Sequence, residues 1–320
     1  MSTSEYPTVS CVICHHKGNL VLDAIQSLKY QKYVVPEIIV VTSEKDRTFY
    51  QCKTLYLQGG PDKKRNSALR LCTSEYIAFF DDDIEADPEC VSKMLRELKQ
   101  DSVGMVFGKL RNFEHRDMFD EAGSFLTNTG FLYSRGDRTK DIGQFDNVQP
   151  VLAGKSASCM IKRDVFLKVG KFDTDYEILG EETDLAWRVW LYGYRVLYTP
   201  KSIAYHKFNT KFKPTDMYVP KRVYFNGCRN YVSMLLANAG NNHVAIFVLV
   251  QVIVWSMAGI GMILTGKFKA GAYIYKGLWY VVTHLKRILA KRKVVQSARV
   301  ISDEELFKLV MRNPPASYYI

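Results

Sequence analysis

Short apolar runs that alternate with helix-forming stretches restrict the first two thirds of this chain to an α/β architecture. Val9-Ser-Cys-Val-Ile-Cys14 is a β-rich run, followed by Gly18-Asn19 and a helical pattern through Leu20, Ile25 and Leu28. Glu37-Ile-Ile-Val-Val41 is the next buried strand, bounded by Pro36 and Thr42-Ser43. Lys63 to Cys72 reads as a helix, and Tyr76-Ile-Ala-Phe-Phe80 as a third strand. Asp87 suits an N-cap and Pro88 the first helical position, opening a helix to about Lys99. Val103 to Leu110 is another strand. This order predicts a parallel sheet with helices on both faces.

The segment from Asn112 to Gln149 is polar and Gly-rich, and loops with a strand or two are expected there. Beyond it, Ala153 to Ile161 reads as a strand, Arg163 to Val169 as a short helix and Glu182 to Tyr192 as a longer one. Tyr194 to Tyr198 returns as a strand before Pro200. The seven cysteines are scattered, which predicts free, mostly buried thiols in a reducing compartment. Cys11 and Cys14 form a CxxC, but within a strand and with no second pair to complete a zinc site. Met1 to Pro7 is polar without an apolar signal core, so nothing there is expected to direct secretion.

The charge balance is basic, 44 Lys+Arg against 33 Asp+Glu, a net +11. Its placement matters more than its size. Five basic residues and no acid lie between Lys286 and Lys293, directly after an apolar stretch, which favours an anionic membrane surface over nucleic acid. From Met217 to Asn238 an amphipathic helical pattern carries Lys221, Arg222 and Arg229 beside Val223, Tyr224, Phe225 and Leu235. Val244 to Leu264 is 21 residues without a charge, long enough to cross a bilayer core of about 30 Å. Basic clusters flank it on both sides, and Ala270 to Leu285 is again largely apolar. A hairpin, or one span plus an interfacial helix, keeps both clusters on the cytosolic side.

Two groups of residues carry chemistry. Asp81-Asp82-Asp83 ends a buried strand at the carboxyl edge of the sheet, where ligands bind in such folds. Adjacent carboxylates repel unless a cation sits among them, and their oxygens suit Mg²⁺ or Mn²⁺ together with substrate phosphates. An acidic surface turn is the plainer alternative. Glu181-Glu182-Thr183-Asp184 opens a helix, where the dipole favours carboxylates. An acid there can cap the helix, or act as general base toward an acceptor hydroxyl. His206 and Lys64-Arg65-Asn66 are ordinary taken alone.

In order, these pieces resemble the family 2 glycosyltransferases, from about Pro7 to Lys207 and more loosely to Glu305. Val9 to Cys14, Asn19 and Glu37 to Val41 are similar to the family's opening βαβ unit. Gly59-Gly60 with Lys64 to Leu69 is similar to its nucleotide-side helix, and Asp81-Asp82-Asp83 to its DxD-type metal motif. Gly154 to Ser158, Arg163 to Phe166 and Gly170 to Asp173 look like its acceptor-side block. Glu181 to Leu185 stands where the family has Glu-Asp-x-Asp-Leu, and Tyr205-His206 matches a terminal His at the metal.

The resemblance implies a GT-A nucleotide-sugar-binding domain, a Rossmann-like mixed sheet, followed by a helical membrane-associated segment. The expected division is 1–215 catalytic, 216–243 amphipathic basic helix or linker, 244–290 membrane hairpin, and 291–320 a basic then polar cytosolic tail. It implies inverting transfer of one sugar to a lipid-linked or glycan acceptor, with membrane lipids as a further partner. Glu182 is the expected base and Asp184 the alternative. Asp83, Asp81 and His206 would hold Mn²⁺ or Mg²⁺. Thr42, Ser43, Lys64, Arg65, Asn66, Asp81 and Asp82 would face the donor nucleotide, and Gly154, Glu181, Trp187 and Arg188 the acceptor side. Thr42-Ser43 replace the Asp that commonly reads the base, so UDP is the default and dTDP or GDP remain open. No Gln-x-x-Arg-Trp is present, which favours single addition over a processive synthase. A nucleotidyltransferase of similar α/β order, or a non-catalytic membrane scaffold of the same fold, are the competing readings.

Overall fold

The structure, a computed structural model, describes residues 6–207 and 221–314. Thr8–His15 (β1), Val35–Thr42 (β2), Lys53–Tyr56 (β3) and Tyr76–Asp81 (β4) form the parallel half of the sheet. Leu20–Lys29 (α1) and Pro61–Ala68 (α2) make the crossovers. Ile84–Ala86 (β5), Cys90–Leu98 (α3), Val103–Asn112 (β6) and Phe119–Glu121 (β7) follow. A hairpin of Ser124–Leu126 (β8) and Leu132–Ser134 (β9) comes before Gln149–Pro150 (β10) and Ser158–Lys162 (β11). Arg163–Lys168 (α4), Glu181–Leu191 (α5) and Arg195–His206 (β12) complete the domain.

The main sheet has ten strands and runs β10-β12-β6-β11-β4-β1-β2-β3, with β5 on β12 and β7 on β6. It is mixed, because β11 lies antiparallel between β4 and β6. Its two faces bury separate cores. Val12, Ile39, Phe79 and Phe107 point to one side, and Cys11, Ile13, Val40, Phe80 and Val106 to the other. That is why the strands read as unbroken apolar runs.

Several elements differ from expectation; the strand read from Ala153 begins at Ser158, after a turn. The third helix begins at Cys90, because the Asp87 carboxylate accepts from the Glu89 amide at 3.1 Å in a local turn before it. Strand β3 lies at the sheet edge with a half-exposed pattern, too short and polar to stand out in the sequence. Pro200 does not end β12. The strand continues to His206 through a register shift between Thr199 and Ile203, where a missing N–H is tolerated. That continuation carries His206 to the end of the sheet that holds β4's aspartates.

At the opposite end of the sheet, near the start of β2, Glu37 ties β1, β3 and the turn before β4 together. Its carboxylate accepts from Ser10 Oγ at 2.5 Å, from the Thr73 amide and hydroxyl at 2.9 Å each, and from Lys53. Burial alone would raise its pKa, but these donors hold it down at about 2, below the ordinary 4.5. A depressed carboxyl contributes stability above its unfolded pKa and loses it as pH falls toward the folded one. Glu37→Gln is therefore expected to lower the thermal midpoint at neutral pH, with the gap to wild type closing between about pH 4.5 and 2. Thermal melts across that range measure it.

After the domain, a π-helical turn at Lys221–Asn226 leads into Gly227–Asn238 (α6), Asn241–Leu264 (α7), Phe268–Thr283 (α8), Leu285–Ser297 (α9) and Asp303–Val310 (α10). The start of the amphipathic stretch, Met217 to Pro220, lies outside the described residues, as does the expected boundary at 215. Residues 291–297 belong to α9, and α10 places Leu306, Phe307 and Val310 in the same core as Phe247 and Leu126. The segment expected as a basic then polar tail is thus largely helical, and α10 packs on the main core. Ser302 and Glu305 form the capping box that starts α10.

Candidate active site

Strand β4 ends at Asp81, aligned with Cys14 of β1. Helix α2 brings Arg65 beneath it, with almost no exposure. Its guanidinium bridges two carboxylates: Nη2 donates to Asp81 at 3.0 Å and Nη1 to Glu181 at 3.1 Å. One buried cation therefore fixes the strand end and the start of α5 relative to each other. Gly180, at φ 89°, precedes α5 in a left-handed turn with open space around it. Glu181, Glu182 and Asp184 then fill the first helical turn.

Asp81, Asp83 and His206 offer ligand atoms that all lie within 4.8 Å of one another. His206 stands between two acids, with Nε2 3.1 Å from Asp83 and Nδ1 2.8 Å from Asp120. Burial would lower its pKa, but Asp120 and Asp83 raise it to about 10. Asp120 also accepts from Lys155 Nζ at 2.5 Å. Burial works against that ionised carboxylate, yet His206 and Lys155 depress its pKa to about 2. Asp82 accepts from the His16 amide at 3.1 Å, and burial with its two acidic neighbours pushes it up to about 6. The two carboxylates and the imidazole fit Mn²⁺ or Mg²⁺ by donor type.

Glu182 is half-buried. Burial first and Glu181 second raise its pKa well above the ordinary carboxylate value. Asp184 has a different environment. Arg188 binds one oxygen at 2.6 and 2.9 Å, and Asn238 donates to the other at 2.8 Å. With both oxygens occupied and the residue buried, Asp184 braces α5 against α6 and is not a free base.

Several expected contacts are structural. Thr42 is fully buried, and its hydroxyl lies 2.8 Å from His15 Nδ1. Ser43 donates to the Leu57 carbonyl at 3.3 Å. Asn66 exchanges two bonds with the Phe172 backbone, at 2.8 and 3.0 Å, and so pins the loop after α4. Lys64 donates to the His15 carbonyl at 2.6 Å, with Asp82 nearby. On the acceptor side, Gly154 is buried where a Cβ would sit 2.8 Å from the Phe107 ring. Trp187 is fully buried, and Arg188 is spent on Asp184 and the Val169 carbonyl. Of the acceptor set, Glu181 reaches the site, and it does so through Arg65.

Sequence reasoning missed Asp120 and Asp62. Asp120 lies in the stretch read mainly as loops; only the Phe119-Asp-Glu alternation hints at a short strand. Asp62 sits in the first turn of α2, fully buried, with both oxygens unpaired among the described residues. Burial leads in raising it to about 6, and Glu181 adds to that.

Residues 10–166 match the sequence profile described as Glycosyl transferase family 2. They form a family 2 glycosyltransferase domain. Its curated relatives include the pre-mycofactocin glycosyltransferase of Mycobacterium tuberculosis, 24% identical over 174 residues. That match spans 52% of this chain and 34% of the relative, so the chain covers about a third of that protein's length. The glycosyltransferase domain with its helices also resembles the mannosyltransferase PcManGT from Pyrobaculum calidifontis, solved with GDP-Man and Mn²⁺. The TM-score is 0.53 at 14% identity, covering 92% of this chain and 86% of that one. GalNAc-T7, solved with UDP, GalNAc and Mn²⁺, gives 0.54 at 14% identity, covering 70% and 51%. The fold is GT-A.

Proposed function

We propose that this chain is a metal-dependent, inverting glycosyltransferase that moves one sugar from a nucleotide-sugar donor to a hydroxyl of a lipid-linked or glycan acceptor at the cytosolic face of a membrane. The observation that carries the reading is the placement of Asp81, Asp83 and His206 within 4.8 Å, joined to the Glu182 helix through the Asp81–Arg65–Glu181 bridge. Asp81, Asp83 and His206 would hold Mn²⁺ or Mg²⁺, which supplies positive charge to the diphosphate as it leaves. Glu182 takes the proton of the attacking hydroxyl, and its raised pKa makes it a better base than a solvated carboxylate. Arg65 keeps the metal edge and the base helix in register, and Lys64 adds positive charge beside Asp82.

The membrane part of the proposal rests on α7 and α8. Helix α7 is 24 residues long, its most apolar stretch has mean hydropathy 2.3, and 17% of that stretch is buried. That length is about 36 Å at the α-helical rise. Helix α8 folds back along it, with Gly259 against Tyr275 and Gly271 against Ile263, and Met257, Ile260, Leu264 and Phe268 stay exposed. At its outer ends this hairpin meets the rest of the chain, Phe247 packing on Gly130 of the catalytic domain and Gly277 on α6. A hairpin inserted from one side leaves the basic residues of α9 beside the headgroups.

A binding and turnover screen of UDP-, GDP- and dTDP-sugars with Mn²⁺ or Mg²⁺ tests the enzyme reading. Metal-dependent binding and slow hydrolysis of one class is the expected result, and no preference for any nucleotide would overturn it.

A further inference from the structure

The segment between Asp173 and Gly180, which leads into the Glu182 helix, is held by the C-terminal helices rather than by the sheet. Glu177 and Leu179 take left-handed conformations, φ 58° and 73°, which side chains other than glycine adopt only under constraint. The constraint comes from two adjacent residues of α6. Arg229 Nη2 donates to the carbonyls of Asp175 at 2.9 Å and Tyr176 at 3.1 Å. Asn230 shares its two amide protons among the carbonyls of Tyr176, Ile178 and Leu179, at 2.9, 2.9 and 2.8 Å. Arg229 Nε in turn donates to Asn230 Oδ1 at 2.9 Å, fixing which way the amide faces. Both side chains are buried.

The rest of the surroundings point the same way. Arg287 of α9 pairs with Asp175 at 2.6 Å, and Lys291 pairs with Asp173 and Asp175. On the opposite side, Gly60 approaches so closely that a Cβ there would lie 2.7 Å from the Glu177 carbonyl. A pocket of only about 20 Å³ lies between this segment and α6, α8 and α9. Directional bonds from α6 and ion pairs from α9 therefore set the course of the chain into α5.

We propose that Arg229 and Asn230 are positioning residues for Glu182, so that α6 is a working part of the catalytic site. The proposal rests on the function proposed above. Loss of the bonds lets the 173–180 segment leave its left-handed turns and moves Glu182 relative to Asp81 and Asp83, while the metal edge itself stays intact.

The experiment uses the full chain with whichever of the UDP-, GDP- or dTDP-sugars the wild type turns over with Mn²⁺. Asn230→Ala is expected to lower kcat by roughly 10- to 100-fold, with the donor KM within about twofold, since small misplacements of a reacting group cost that much. Asn230→Asp fills the same space but turns a carboxylate toward three carbonyls, so it should be worse than alanine. A packing role alone predicts the opposite order. Arg229→Lys keeps one donor and should recover part of the kcat lost in Arg229→Ala. Gln31→Ala is the matched control. It removes a buried amide, just after α1, that bridges the Ser27 and Asp87 carbonyls at 3.1 and 2.8 Å. It should cost thermal stability and leave kcat unchanged. Wild-type kcat in Asn230→Ala, or Asn230→Asp at least as active as alanine, would overturn the inference. A wild type that turns over no donor would instead sink the function on which it rests.

Discussion

Glu182→Gln is expected to lower turnover by roughly 10²- to 10⁴-fold while leaving donor and metal binding within about twofold, the range typical for removing a general base. Glutamine keeps the length and most of the polarity of the side chain, so the Arg65–Glu181 bridge next to it has no reason to rearrange. A second consequence has the opposite sign. The folded pKa of Glu182 lies above the ordinary 4.5, raised by burial and by Glu181. The unfolded chain therefore releases this proton more readily, and ionising Glu182 above about pH 4.5 costs folding stability. Replacing it with a neutral amide removes that cost. Glu182→Gln should melt at a higher temperature than wild type at neutral pH, and the difference should vanish well below pH 4.5. Loss of activity with gain of stability separates a catalytic carboxylate from a capping one, because removing a cap destabilises. Single-turnover kinetics and thermal melts decide it. Full activity in the variant would reassign the base. Asp184, with both oxygens bound by Arg188 and Asn238, is not free to take over, which leaves Glu181, whose Oε2 has no partner among the described residues.

The legible part of this molecule was what burial imposes locally. β1, β2 and β4 announced themselves because a strand covered on both faces must be apolar throughout, and Asp81 at the end of such a run marks the sheet's working edge. Glu182's place at a helix start was readable, whereas a base role for it came only from the family resemblance. What stayed hidden were pairings between distant segments. Arg65 meets Glu181 across 116 positions, and His206 meets Asp120 across 86. No local pattern encodes either. The same blindness misplaced Asn66, Trp187 and Arg188. Each lies in a stretch that resembles a ligand-contacting motif, but each turned out to hold the frame that the ligand-facing residues need. The apolar helix pair was visible as composition, whereas the docking of α10 into the main core was not, because Leu306, Phe307 and Val310 make only a short amphipathic stripe.

Asp83→Ala is the second variant with a large expected effect, and the geometry makes it more informative than Asp81→Ala. Removing Asp81 also strips Arg65 of one of its two partners, so a buried guanidinium is left half-compensated and α2 is disturbed. Removing Asp83 has no such side effect. His206 remains fixed by Asp120, which is itself held by Lys155, so the imidazole stays in place. Mn²⁺ affinity should fall by more than about 100-fold, and nucleotide-sugar binding should lose its dependence on metal. Asp120→Asn leaves every expected ligand in place and weakens the group that orients His206 and pairs with Lys155. Substitutions of that kind typically cost about 10- to 100-fold in metal affinity. The expected order is therefore wild type, then Asp120→Asn, then Asp83→Ala, measured by calorimetric titration of Mn²⁺ with and without donor. Equal Mn²⁺ affinity in wild type and Asp83→Ala would remove the aspartate from the metal site. An Asp120→Asn variant as impaired as Asp83→Ala would instead show that His206 orientation contributes as much to the site as the carboxylate itself.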